Sequence, residues 1–181
     1  MNLTVNGVEH ELESHALRPL LHVLREAECP VNNIALPSFQ THNDARVRRE
    51  AMQLLFRDPI SRDRAIMGGV KDGDPYMIRA ALKEARTGLP DVAVPVLAKR
   101  IMEKDFPPEF RVPAINMLGR SKSVLALEAL LRFVAGGTTL LGKPKLAAKT
   151  PEMLAALRGL ARTWPHERRA KPLLDLAAGS Q

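Results

Sequence analysis

Seven residues, Gly137-Thr138-Thr139-Leu140-Leu141-Gly142-Lys143, fit the frame G-x-x-x-x-G-K that opens a phosphate-binding loop. In such a loop backbone N–H groups and the lysine hold the phosphates, and the next residue is a Ser or Thr whose hydroxyl holds Mg²⁺. Here the next residue is Pro144. Proline has no N–H to donate and obstructs the helix whose N-terminus should receive the phosphates. The stretch before it, Leu130–Val134, reads as helix rather than as the strand that precedes a P-loop. The spacing predicts an exposed loop between helices and no nucleotide cofactor.

The remaining reactive side chains are equally plain. The histidines are His10, His15, His22, His42 and His166. His15 and His22 can share a helix face, but a zinc site needs further ligands with closing geometry, and no H-E-x-x-H spacing exists. Cys29 is the single cysteine; its nearest basic neighbour in sequence is Arg25 and Pro30 follows it, so nothing marks a low-pKa thiolate. One thiol closes no internal disulfide and suits a reducing, cytoplasmic setting. The serines Ser14, Ser38, Ser61, Ser121, Ser123 and Ser180 fall mostly at caps and turns, and no G-x-S-x-G elbow is present. Glu103 and Asp105 sit near a predicted helix end and need no catalytic role. The expectation is a non-enzyme with no catalytic residue, no metal and no cofactor.

Charge is the stronger signal. The chain carries a net charge of +7, unevenly spread. Residues 1–38 hold two arginines against five glutamates, a net of −3, which leaves +10 for the rest. Between 143 and 172, eight cations face Glu152 and Glu167, a net of +6. Lys143, Lys145, Lys149, Arg158, Arg162, Arg168 and Arg169 are therefore the candidate partner-binding residues, the partner being an acidic protein or, alternatively, nucleic acid. A solvated basic face is the plainer reading. Trp164, the only tryptophan, either staples the last two helices or anchors a partner. No apolar run approaches the 18 residues of a membrane span.

A recurring phrase must position these residues. It reads DARVRREAMQLL at Asp44–Leu55, DPYMIRAALKEA at Asp74–Ala85, PPEFRVPAINML at Pro107–Leu118 and TPEMLAALRGLA at Thr150–Ala161. Val47, Ile78, Phe110 and Met153 are equivalent, with separations of 31, 32 and 43. From each runs an apolar stripe at helical spacing: Val47, Ala51, Leu54, Leu55; Ile78, Ala81, Leu82, Ala85; Phe110, Ala114, Met117, Leu118; Met153, Leu157, Leu160, Ala161. Partner helices are predicted at Ser61–Val70, opening on a serine cap, at Asp91–Lys104, opening on an aspartate, at Ser123–Val134 and at His166–Ala178. The excess length of the third step falls in an inserted loop, 136–149. One helix pair cannot bury both of its apolar faces, so such units stack into arrays. An aromatic content of 4% suits close helix packing better than a sheet.

The D-x-x-V-R core from Asp44 to Arg48 resembles the second-helix signature of HEAT repeats, as do DPYMIR at Asp74–Arg79 and the Phe110-Arg111 pair. The resemblance covers roughly residues 40–180 and implies a mainly α, right-handed α-solenoid of about four helix pairs, armadillo-like in class, acting as a scaffold or adaptor in protein binding. It implies that Asp44, Arg48, Asp74, Arg79 and Arg111 form a structural Asp–Arg ladder. The third copy departs at Pro107, and the fourth at Thr150 and Leu154, so the ladder should end there. For the alternative partner the resemblance suggests a HEAT-like DNA-repair protein.

Residues 2–12 alternate apolar and polar around Asn6-Gly7, a hairpin signal, and a helix is predicted near Ala16–Ala27. Residues 1–31 are expected to form a hairpin–helix cap, 32–43 a linker, and 44–181 the repeat array. LTVNGVEHEL followed by RPLLHVLRE also resembles the opening of the plant-type 2Fe–2S domain of molybdenum-hydroxylase small subunits. That cluster needs four thiolates and the chain has one, so the resemblance implies no cluster.

Overall fold

Asp44, Asp74 and Ser123 each place a short oxygen-bearing side chain where a helix must start, and each does start one. A computed structural model describes residues 2–5, 8–11, 41–138 and 144–179. Among them lie eight α-helices: α1 (Ala45–Leu55), α2 (Pro59–Lys71), α3 (Pro75–Glu84), α4 (Val94–Arg100), α5 (Pro108–Leu118), α6 (Val124–Val134), α7 (Pro151–Thr163) and α8 (Lys171–Ala178). Two antiparallel ribbons accompany them, β1 (Asn2–Val5) with β2 (Val8–Glu11), and β3 (Ala135–Thr138) with β4 (Pro144–Leu146). The fold is thus mainly helical. Packing divides the chain into two compact units, Met1–Ala65 and Ile66–Gln181, with the boundary inside α2.

In the first unit β1 and β2 pair in the register the alternation predicts, Asn2 opposite Glu11 and Val5 opposite Val8. The predicted helix near Ala16–Ala27 and most of the linker lie outside the described residues. The Asp44 carboxylate accepts from the Arg46 N–H at 2.8 Å and opens α1, which buries Ala51, Met52 and Leu55. Ser61 is not the cap of the next helix. Asp58 is, accepting from the Ile60 and Ser61 N–H groups, and Ser61 is buried inside α2. The competing signal was Asp58-Pro59, an aspartate followed by a proline suited to a helix's first turn.

In the second unit the helices pack two apart in sequence as well as with their neighbours. α3 lies on α5 and α5 on α7; α4 lies on α6; α6 also packs on α5 and on α7. The second, third and fourth copies of the recurring phrase therefore pack in a row, and the partner helices α4 and α6 contact one another. Leu97, Ile101, Phe106, Ile115, Leu118, Leu127 and Leu130 are sealed from solvent between them. The second stripe is buried as predicted, at Ile78, Ala81, Leu82 and Ala85. The fourth is rotated: Ala161 is exposed, while Ala155, Ala156 and Gly159 are buried with Met153 and Leu160. Two predicted partner helices are shorter than the stripe suggests. Asp91–Ala93 is a single 3₁₀ turn before α4, with no side-chain cap, and residues 164–170 form turns before α8.

The rotation of α7 has a cause. Where α5 ends against α7, Gly119 and Gly159 meet backbone to backbone. A Cβ on Gly119 would lie 2.7 Å from the Gly159 Cα, and one on Gly159 would lie 2.8 Å from the Gly119 Cα and 3.4 Å from a Leu130 methyl. No side chain fits, so glycine occupies the buried position and the stripe turns to bring it inward.

Within the predicted loop 136–149, the described residues include paired strand. Ala135 pairs with Leu146, and the Ala147 N–H donates to the Val134 carbonyl at 2.8 Å. Gly137 holds φ at +93°, a conformation that favours glycine. Pro144 opens a strand rather than a helix, so the G-x-x-x-x-G-K frame has no helix N-terminus after it.

The glycine contact generates a differential prediction. Gly159→Ala should lower unfolding free energy by about 1–3 kcal/mol, the usual cost of overpacking, despite alanine's better helix propensity. Gly73→Ala, with open space around it, should stay within about 0.5 kcal/mol of the parent, as ordinary surface changes do. Urea denaturation of both variants checks this; equal effects would contradict the packing.

Candidate functional site

The described cations predicted to bind a partner are spread over β4, the segment after it, α7 and the turn before α8. Lys143 lies outside the described residues. Lys145 is exposed on β4 and Lys149 just after it; Arg158 and Arg162 are exposed on α7, four residues apart. Arg168 is exposed in the turn before α8. Arg169 already has acidic company, with Glu167 at 3.5 Å and Glu128 at 3.8 Å, all partly exposed. Such pairs stabilise little but reduce the free charge of this end.

A second group of cations was not singled out by the sequence because its members are far apart in it. A cleft of about 350 Å³ lies beyond the ends of α3 and α5, lined among others by Arg86, Leu89, Asp91, Met117, Arg120 and Lys122. Two hydrogen bonds align these helix ends. Arg120 donates from Nη1 to the Arg86 carbonyl at 3.4 Å, joining α3 to α5. The Thr163 hydroxyl donates to the Gly119 carbonyl at 2.6 Å, joining α5 to α7. Helix C-termini carry partial negative charge and unsatisfied carbonyls, so cations gather there at little cost.

The carboxylates Glu103 and Asp105 serve a buried arginine. Arg100, nearly sealed from solvent, donates from Nη1 to Glu103 at 2.5 Å and to Asp105 at 2.7 Å, and its guanidinium lies 5.9 Å from the centre of the Phe106 ring. A buried cation without partners would be strongly destabilising. The hydrogen bond from Arg100 holds the Asp105 carboxyl below the usual carboxylate range, and the Asp105 contact in turn raises the guanidinium's pKa. Asp44, by its side-chain bond to Arg46, is lowered to about 2. Both acids stay ionised and acceptor-only near neutral pH.

The residues of the expected Asp–Arg ladder occupy other contacts as well. Asp44 and Asp74 are N-caps, Asp74 accepting from the Tyr76 N–H at 3.1 Å. Arg48 donates to the His42 and Asn43 carbonyls. Arg79 lies over the Phe110 ring at 5.6 Å, so the second and third copies of the phrase are linked by a cation–π contact. Arg111 donates to the Glu103 carbonyl at 3.1 Å, and its Nε is buried without a partner. Trp164 follows α7 and packs against the core, its Nε1 also buried without a partner. His42 accepts from the Asp44 N–H; His15, His22 and Cys29 lie outside the described residues. Among the described residues no three His, Cys, Asp or Glu side chains gather as a metal site, and no helix is long and apolar enough to cross a membrane.

No family model, curated protein or solved structure matches this chain. Neither the HEAT resemblance nor the 2Fe–2S resemblance gains support from those comparisons.

Because Asp105 has its folded pKa lowered, its contribution is present in full above the ordinary value of 3.8 and is lost as pH falls through the lowered one. Asp105→Asn should therefore destabilise the protein at about pH 7, and the gap to the parent should close as the pH falls from the ordinary carboxylate value through the lowered one. Urea melts across that range check the sign; a gap that does not depend on pH would contradict the ion pair.

Proposed function

We propose that this chain is a non-catalytic, HEAT-like helical array that serves as a docking module for a protein partner. The observation that carries the reading is the i-to-i+2 packing of α3, α5 and α7, with α4 on α6, which is how helix pairs stack when each unit buries its face on the next. Such an array presents long rows of helix ends and loops, and rows of that kind make extended binding surfaces. The polar clusters support the same reading. The carboxylates nearest to a catalytic arrangement, Glu103 and Asp105, are spent on Arg100.

Nucleic-acid binding is the second reading, favoured by Arg158, Arg162 and Arg168, which are exposed and form no ion pair among the described residues. Against it, the described helices carry few aromatic rings on which a base could stack: Phe106 and Phe110 are buried, and Tyr76 alone is widely exposed.

The two readings separate in one experiment. The full chain, immobilised and offered an extract of its own cells, should retain a protein in stoichiometric amount after nuclease treatment. Retention that disappears with nuclease, and direct binding of random-sequence DNA that falls steeply between low and moderate salt, would favour the second reading.

A further inference from the structure

The aligned helix ends form a charged edge with a definite spacing. Arg86 follows α3, Arg120 and Lys122 follow α5, and Arg162 sits in the last turn of α7; all four are exposed. None of the four forms an ion pair among the described residues. The bonds from Arg120 to the Arg86 carbonyl and from Thr163 to the Gly119 carbonyl place the three ends side by side. Neighbouring packed helices stand about 8–10 Å apart. Three residues of polyproline II chain advance about 9 Å and return to the same face.

Resting on the docking reading, we infer that this edge binds an acidic polypeptide segment in the polyproline II conformation whose carboxylates recur every third residue, one carboxylate to each helix end. Three features favour a polypeptide over nucleic acid. The cleft lining includes the apolar Leu89 and Met117, and the exposed Val92 and Val124 lie within two residues of its lining residues Asp91 and Lys122 in sequence. Aliphatic side chains of a peptide have a place there. Asp91 can accept a peptide N–H, which a sugar–phosphate backbone does not carry. No aromatic ring lines the cleft. Arginine suits the task, since its planar fork meets a carboxylate with two parallel bonds.

The test uses the full chain and fluorescein-labelled peptides read by anisotropy. One peptide repeats Glu-Val-Leu; a second has the same composition with its glutamates in one block; a random-sequence oligonucleotide serves as competitor. The spaced peptide should bind about ten-fold tighter than the block, and Arg86→Glu with Arg120→Glu should weaken it by at least about ten-fold. Lys104→Glu with Arg132→Glu, an equal change of charge at exposed positions elsewhere, should weaken it by less than about two-fold at moderate salt. Equal affinity for both peptides, equal damage from both double variants, or displacement by the oligonucleotide at lower concentration than by unlabelled peptide would each overturn the proposal. Should the first variant fail to fold, amide shifts in the unmodified protein decide: perturbation centred on Arg86, Asp91, Arg120 and Lys122 supports the edge, and perturbation centred elsewhere overturns it. If the reversed variant still captures the parent's protein partner, the edge proposal fails while the docking reading stands; if neither captures one, the docking reading itself fails.

Discussion

Two helices of this protein touch where neither has a side chain. Gly119 and Gly159 bring the end of α5 and the body of α7 together closely enough that either Cβ would strike the opposite Cα. Much else is set by that contact. It rotates the α7 stripe, and it brings Thr163 to the Gly119 carbonyl, one of the acceptors that the end of α5 leaves open. It places Leu130 of α6 against the crossing. Protein interiors pack as densely as organic crystals, so a contact this tight leaves α6 one way to lie across both helices.

Charge is then sorted by this packing. Arg100, the arginine most deeply buried among the described residues, is matched by two carboxylates and an aromatic ring. Those that end up at helix C-termini need no carboxylate, because the aligned carbonyls already favour a cation there. Stacking α3, α5 and α7 side by side concentrates unneutralised positive charge along one edge, so the packing that orders these helices also shapes what they can attract. The C-terminal stretch that is most basic by sequence is less so in space, since Arg169 meets Glu128 and Glu167, and Lys171 meets Asp175 at 3.7 Å.

Signals confined to one turn of chain were legible in the sequence. The caps at Asp44, Asp74, Ser123 and Thr150, the Ile78–Ala85 stripe and the first hairpin follow from side-chain length, helical period and strand alternation within a few residues. What escaped depends on contacts between distant segments. Gly159 looks like a gap in a stripe until Gly119 is set against it. Arg86, Arg120 and Arg162 are separated by 34 and 42 residues and become neighbours only when α3, α5 and α7 stack. The second ribbon, rich in Gly and Lys, lacks the apolar alternation that marks a strand, and its pairing rests on Leu146 reaching the core.

The central claim is that α5 and α7 are held in register by bare backbone at Gly119 and Gly159. The most direct measurement is a nuclear Overhauser spectrum of the isotopically labelled chain, read at the Hα protons of these two glycines. A strong Hα–Hα cross-peak is expected between residues 40 positions apart in sequence. Assigned resonances with no such cross-peak would contradict the claim, and with it the alignment of the helix ends.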